Sequence, residues 1–226
     1  MKKIRSMLYG ALAMLVASMT TTPLIAGSSD IAGPYIAVQG VSLGVEFDGS
    51  YTDSDSVVTK GSGGKIAQVA GIEVGYSIPA SDTFLIGIGA TYYPGEADLA
   101  KADDAADAAD ITVKADEFYT FFVQPTISVT DNSAVFLKYG QSKADLKVSG
   151  NFTGTASSEL DGETFALGTM TIFPTGLFMK TEAGFTEYDD IAINDIGTAA
   201  DDDSAKGDVK ATPEAAFGAV TIGFKF

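Results

Sequence analysis

The sequence predicts an all-β chain: an eight-stranded antiparallel up-and-down transmembrane β-barrel with short periplasmic turns and long extracellular loops. Three observations predict it. Apolar residues recur with period two over eight segments, the mark of strands with two unlike faces. Each segment matches the ~9–11 residues a tilted strand needs to cross a bilayer, or somewhat exceeds it. The links alternate strictly between tight turns and long excursions, as one plain and one decorated barrel rim would require. A sandwich with Greek-key crossings needs no such alternation.

The first 26 residues are expected to be an export signal. Lys2, Lys3 and Arg5 make a basic start, and Met7 to Met19 is an apolar run too short to span a bilayer as a helix. Leu24-Ile25-Ala26 then reads as a cleavage site, leaving residues 27–226 as the barrel. No Cys follows that site, so no lipoprotein anchor is expected.

The eight segments are Pro34–Phe47, Lys65–Ile78, Thr83–Tyr93, Glu117–Thr130, Ala134–Leu146, Glu163–Phe173, Leu177–Tyr188 and Glu214–Phe226. Pro79-Ala80-Ser81-Asp82, Asp131-Asn132-Ser133 and Pro174-Thr175-Gly176 are turn formers at tight links. The long links are Asp48–Gly64, Pro94–Asp116, Lys147–Gly162 and Asp189–Pro213. In the last strand Val220, Ile222, Phe224 and Phe226 share one face, while Ala215, Ala219, Thr221, Gly223 and Lys225 share the other. In Lys65–Ile78, Ile72, Val74, Tyr76 and Ile78 oppose Gly71, Glu73, Gly75 and Ser77. The second face of most strands is Gly, Ala, Thr and Ser with few charges. Such a face is a poor soluble exterior and a good narrow lumen, so the large apolar face is expected against lipid. Segment Glu163–Phe173 has two nearly equally apolar registers, and Pro125 demands a bulge or an unpaired position. Aromatics near strand ends, Tyr35, Tyr76, Tyr92, Tyr93, Phe118, Phe173 and Tyr188 among them, fit interfacial girdles.

The chain resembles the eight-stranded outer-membrane β-barrels of Gram-negative bacteria, the group of the OmpA transmembrane domain, OmpX and the opacity-type surface proteins. The resemblance rests on the glycine-spaced hairpin Gly71-Ile72-Glu73-Val74-Gly75-Tyr76 and Phe84-Leu85-Ile86-Gly87-Ile88-Gly89-Ala90-Thr91-Tyr92-Tyr93. It rests more specifically on the terminal Val220, Ile222, Phe224 and Phe226, which are similar to the signal read by the barrel-assembly machinery. It implies outer-membrane residence, contact with outer-membrane lipid and lipopolysaccharide, and a monomer. No peptidoglycan-binding domain follows, so a barrel alone is expected.

Composition excludes several functions. The chain has no Cys, His or Trp, which removes disulfides, thiolate and imidazole metal sites and histidine-paired nucleophiles. Formal net charge is −16, and such a surface repels nucleic acid. No cofactor site and no poised carboxylate pair stands out, so no enzyme is expected. The strand charges on the small-residue faces are Glu73, Lys138, Lys180, Glu182 and Lys225. Glu73, Lys138 and Glu182 fall at similar depth, with Gln124 nearby, and are expected to pair with Lys180 as a network plugging the lumen. The long links hold most of the 30 acids, and Asp103, Asp104, Asp107, Asp201, Asp202 and Asp203 are the candidates for a divalent metal. They lack the glycine and closing glutamate of an EF-hand loop, so diffuse divalent screening is the favoured reading. The leading function is a structural and surface-interaction protein. A small pore or hydrophobic-ligand conduit of the OmpW kind is the alternative, and a soluble periplasmic lipocalin-like binder is the third.

Overall fold

The computed structural model describes residues 31–52, 55–102, 111–150, 156–196 and 207–226. The expected signal segment and all six candidate metal-binding aspartates lie outside them. Ten strands form: β1 (Gly33–Thr52), β2 (Val58–Pro79), β3 (Phe84–Tyr93), β4 (Ala97–Ala102), β5 (Ile111–Thr130), β6 (Ser133–Gly150), β7 (Glu159–Ile172), β8 (Leu177–Tyr188), β9 (Ile191–Ile196) and β10 (Gly207–Lys225). Eight of them close a ring in the order β1-β2-β3-β5-β6-β7-β8-β10, with β10 pairing back onto β1. Every pairing around the ring is antiparallel. Closure removes the sheet edge that a bilayer cannot tolerate.

The faces divide as the alternation predicts. Val38, Ile72, Ile88, Phe121, Val220 and Ile222 are exposed on the outside. Leu85, Phe136, Phe178, Glu73 and Lys180 are fully buried inside. The ambiguous strand β7 turns Ala166, Met170 and Ile172 inward and Leu167 outward. The lumen is narrow enough for rings to lie on glycines of the next strand. A Cβ on Gly89 would sit 2.6 Å from the Phe122 ring, and one on Gly71 the same distance from Tyr93. Tyr35, Tyr93 and Phe118, grouped by sequence with the girdles, belong to this inner packing: Tyr35 is buried beside Phe178 and Tyr93 lies against Phe118. Position near a strand end does not fix a ring's face; parity does.

Three elements sharpen the sequence reading, the first two by departing from it. The long links are in large part strand: β1 continues to Thr52, β2 starts at Val58, and the β1–β2 register runs unbroken to Thr52↔Val58. Beyond the apolar belt there is no lipid to enforce alternation, so hydrogen bonding continues where the hydrophobic pattern stops. Second, β5 begins at Ile111, and Glu117 sits in a bulge with φ 48°. The extra residue between Asp116 and Tyr119 switches the inward set from Val113 and Ala115 to Thr120 and Phe122. Third, of the two forms expected for Pro125, the bulge does not occur and the unpaired position does. Pro125 pairs with Ile86 on β3, whereas the β5–β6 ladder skips Gln124 and Pro125 and resumes unshifted at Thr126↔Phe136.

One wall of the ring is incomplete. β2 and β3 pair from Ile72↔Tyr92 to Pro79↔Leu85 and no further. Pro94 lacks an amide donor and Gly95 takes φ 114°, which ends β3. The chain resumes as β4, which pairs only with β5, from Ala97↔Ala115 to Ala102↔Ile111. Among the described residues, β2 from Val58 to Gly71 therefore has β1 as its one strand partner.

Candidate functional site

The lumen is layered. At the short-turn rim, Tyr35, Leu85, Phe136, Met170 and Phe178 form an apolar cluster with Ile31. Lys225 reaches from the last strand to donate to the Ile31 carbonyl. Above this lies the charged layer. Lys138 on β6 is 3.1 Å from Glu73 on β2 and 2.7 Å from Glu182 on β8. Lys180 on β8 pairs with Glu73 and donates to Gln124 at 3.3 Å. The structure thus brings all five of Glu73, Gln124, Lys138, Lys180 and Glu182 together. Two ammoniums face two carboxylates, so the layer carries no formal net charge.

Sequence reasoning missed the neutral partners. Tyr35 donates to Glu73 at 3.0 Å, and Thr91 also donates to Glu73, at 3.3 Å. Gln39 donates to Glu182 at 2.8 Å and accepts from Tyr93. Gln39 was discoverable as the one amide on the otherwise apolar inward face of β1, Ala37, Val41 and Val45. Aromatic faces add to the cations' surroundings, with Lys138 4.5 Å from the Phe122 ring centre.

A second polar feature crosses four consecutive ring strands. The hydroxyls of Thr120, Ser142, Thr164 and Thr186 link in a row at 2.7, 2.6 and 2.7 Å. Successive members are 22 residues apart, and that spacing was a readable signal.

Above the polar layers the lumen turns apolar again. Val45, Val113, Ala115, Ala144, Leu146, Leu160, Ile191 and Ala215 are buried there. They do not fill the space. A chamber of about 340 Å³ is walled by Leu43, Val45, Val69, Phe118, Leu160 and Tyr188. Its boundary continues past Tyr93, Pro94 and Gly95 to Gln68 and Ala70, which are exposed residues of β2. The chamber therefore reaches the outside at the incomplete β2–β3 wall. A smaller cavity of about 50 Å³ shares the walls Leu43, Val69, Tyr93, Phe118 and Tyr188 and is floored by Thr91, Thr120, Lys138, Thr164, Glu182 and Thr186.

Beside the opening stands an exposed ion cluster. Lys114 is 2.9 Å from Glu96, and Lys147 is 2.6 Å from Asp116 and 3.4 Å from Glu96. The lysine hydrogen bonds hold Glu96 and Asp116 below the usual carboxylate range and Lys147 above the usual lysine range. Among the described residues no group of three acidic side chains is arranged to hold a metal ion. On the last strand Val220, Ile222, Phe224 and Phe226 are exposed on the outer face, and the Phe226 amide donates to the Pro34 carbonyl at 3.1 Å.

No protein-family model matches the sequence, and no curated protein matches it. Solved structures do. The outer membrane protein OprG of Pseudomonas aeruginosa aligns over 86% of this chain and 97% of its own, at 14% identity and a TM-score of 0.53. Ail, the attachment invasion locus protein of Yersinia pestis, aligns over 84% and 99% at 11% identity and a TM-score of 0.36. Neisserial surface protein A aligns over 83% and 97% at 14% identity and a TM-score of 0.35. With its closed antiparallel ring and apolar outer belt, the chain has the fold of the small outer-membrane β-barrels.

Proposed function

We propose that this protein is an outer-membrane barrel that admits small apolar molecules to its outward half and releases them sideways into lipid. The charged layer and the aromatic cluster beneath it act as a plug toward the periplasm. The observation that carries the reading is the chamber of about 340 Å³, lined mainly by aliphatic and aromatic side chains, with the exposed Gln68 and Glu96 on its border, and open at the unpaired stretch of β2. A water-filled pore would be lined with polar groups, and eight strands leave an interior that side chains fill or that holds one small ligand, too narrow for a wide aqueous channel. An apolar chamber with a side exit suits a solute that prefers lipid to water. The function is physical transfer without chemistry.

The test uses the mature chain refolded in lipid nanodiscs. Titration with p-xylene should shift the methyl resonances of Leu43, Val69 and Leu160, and Leu43→Trp should fill the space and abolish the shifts. Cysteines at Gln68 and Pro94, joined by a bifunctional linker, should leave binding intact and slow transfer into lipid. Shifts confined to outward residues such as Val38 would sink the reading.

A second reading, contact with the cell surroundings, is favoured by the β1–β2 hairpin, which runs on to Thr52 and Val58 beyond the apolar belt. Acidic loops bridging to lipopolysaccharide through divalent cations would belong to it. In either reading the protein is a monomer whose Phe226 end is read by the barrel-assembly machinery.

A further inference from the structure

We infer that the molecule this chamber accepts is a neutral amphiphile: an apolar body that lies between Leu43, Phe118 and Leu160 and carries one hydroxyl group down to the polar floor. The inference rests on the conduit reading and adds the ligand's polar end.

The argument begins with the shape of the space. The large chamber adjoins the cavity of about 50 Å³, which has room for a small polar group. Its upper walls are apolar and its floor is not. An entirely apolar ligand would cover hydroxyls and charges without bonding them, and an unmatched buried polar group costs about 1–3 kcal/mol.

The hydrogen-bond count fixes the head group. Thr186 also hydrogen-bonds Tyr188, so five hydroxyls joined by four bonds use four of their five protons within the row. One proton is left over, and the end hydroxyls keep acceptor lone pairs. Both ends, Thr120 and Tyr188, line the small cavity, whereas Ser142 does not. Glu182 Oε2, 2.7 Å from the Lys138 ammonium, adds a buried acceptor beside them. A group placed among them must both donate and accept. A hydroxyl does both; a hydrocarbon does neither.

Charge excludes the other polar ends. Lys138 and Glu182 both border the cavity and lie 2.7 Å from each other. A ligand ammonium would approach Glu182 only by approaching Lys138, and a ligand carboxylate meets the converse conflict. Since the layer is already balanced, an added charge has no uncompensated partner and would lose its hydration.

The experiment measures binding of four molecules of one skeleton to the mature barrel in nanodiscs: p-xylene, 4-methylbenzyl alcohol, 4-methylbenzylamine and 4-methylbenzoate. The readout is the alcohol-to-xylene affinity ratio, compared between wild type and variant so that partitioning into lipid cancels. Thr186→Val should lower that ratio about tenfold, the effect of losing a hydrogen-bonded pair. Thr186→Ser should restore it. If Thr186→Val fails to fold, Thr120→Val tests the Thr120 end of the row. An unchanged ratio in a folded variant overturns the inference while the conduit reading stands. Tightest binding by the amine or the carboxylate also overturns it. Binding of the alcohol without p-xylene, lost in Thr186→Val, supports the inference and removes the hydrocarbon conduit. Binding of none of the four overturns both.

Discussion

Lys138 and Glu182 meet at 2.7 Å across the lumen, from strands that are not neighbours in the ring. The pair therefore braces the barrel from within rather than reinforcing one strand pairing. Glu73 extends the brace, since it holds both Lys138 and Lys180.

Removal of the shared carboxylate should be costly. Glu73→Ala leaves two buried ammoniums short of a partner, and breaking such a pair typically costs about 3–5 kcal/mol. Urea unfolding in lipid vesicles should show that loss, with Glu73→Gln intermediate. Single-molecule recordings of the variant should show no high conductance, because the aromatic cluster around Phe136 and Phe178 remains. Large stable channels in the wild type would rule out the plug.

Glycine is required inside and dispensable outside. Gly89→Ala would place its Cβ 2.6 Å from the Phe122 ring and from the Val74 carbonyl oxygen. Overpacking of this kind costs about 1–3 kcal/mol. Gly40→Ala meets nothing within 4 Å and should leave stability unchanged. Equal unfolding midpoints for the two variants would show that the lumen is looser than described.

The absence of native Trp makes each introduced Trp a single reporter. Val38→Trp and Phe121→Trp, at positions 63% and 61% exposed, should be quenched by lipids brominated on their acyl chains. Phe122→Trp, at a position 4% exposed, should not. The reverse pattern would turn the barrel inside out.

The rim cluster sets a pH window. Asp116 and Glu96 are held below their ordinary values by lysine hydrogen bonds, so their contribution is whole above the unfolded carboxylate range. It is lost as pH falls through the lowered values, beneath the ordinary carboxylate range. Lys147 is raised, so its share is whole below about pH 10 and is lost as pH rises through the raised value. The protection factor for amide exchange at the Glu117 bulge, with the intrinsic pH dependence divided out, should be largest between those limits and fall at low pH. Lys147→Met should flatten the acid limb; an unchanged profile would assign it elsewhere. High salt should shrink the effect, because these groups are exposed.

Much of the fold was legible because lipid and lumen impose opposite demands on alternate residues. Ile72, Val74 and Tyr76 against Gly71, Glu73 and Gly75 already tell outside from inside, and Glu73, Lys138 and Glu182 already share a depth. The tight turns and the glycines under Tyr93 and Phe122 follow from chain sterics alone. Above the apolar belt that demand ends. Whether Asp48–Gly64 was loop or hairpin could not be read, because backbone hydrogen bonding is indifferent to side-chain alternation there.

What the sequence by itself determined is therefore the number of strands in the ring, the faces and the charged layer, each a matter of local period and counted depth. What only the tertiary structure decided is which groups meet across the ring and where the ring fails to close. Gln39 finds Glu182, and the row of Thr120, Ser142, Thr164 and Thr186 forms, through the stagger of closed strands. The chamber exists because Pro94 and Gly95 end β3 while β2 runs on. That mismatch is a property of two strands compared side by side, and neither strand's own sequence contains it.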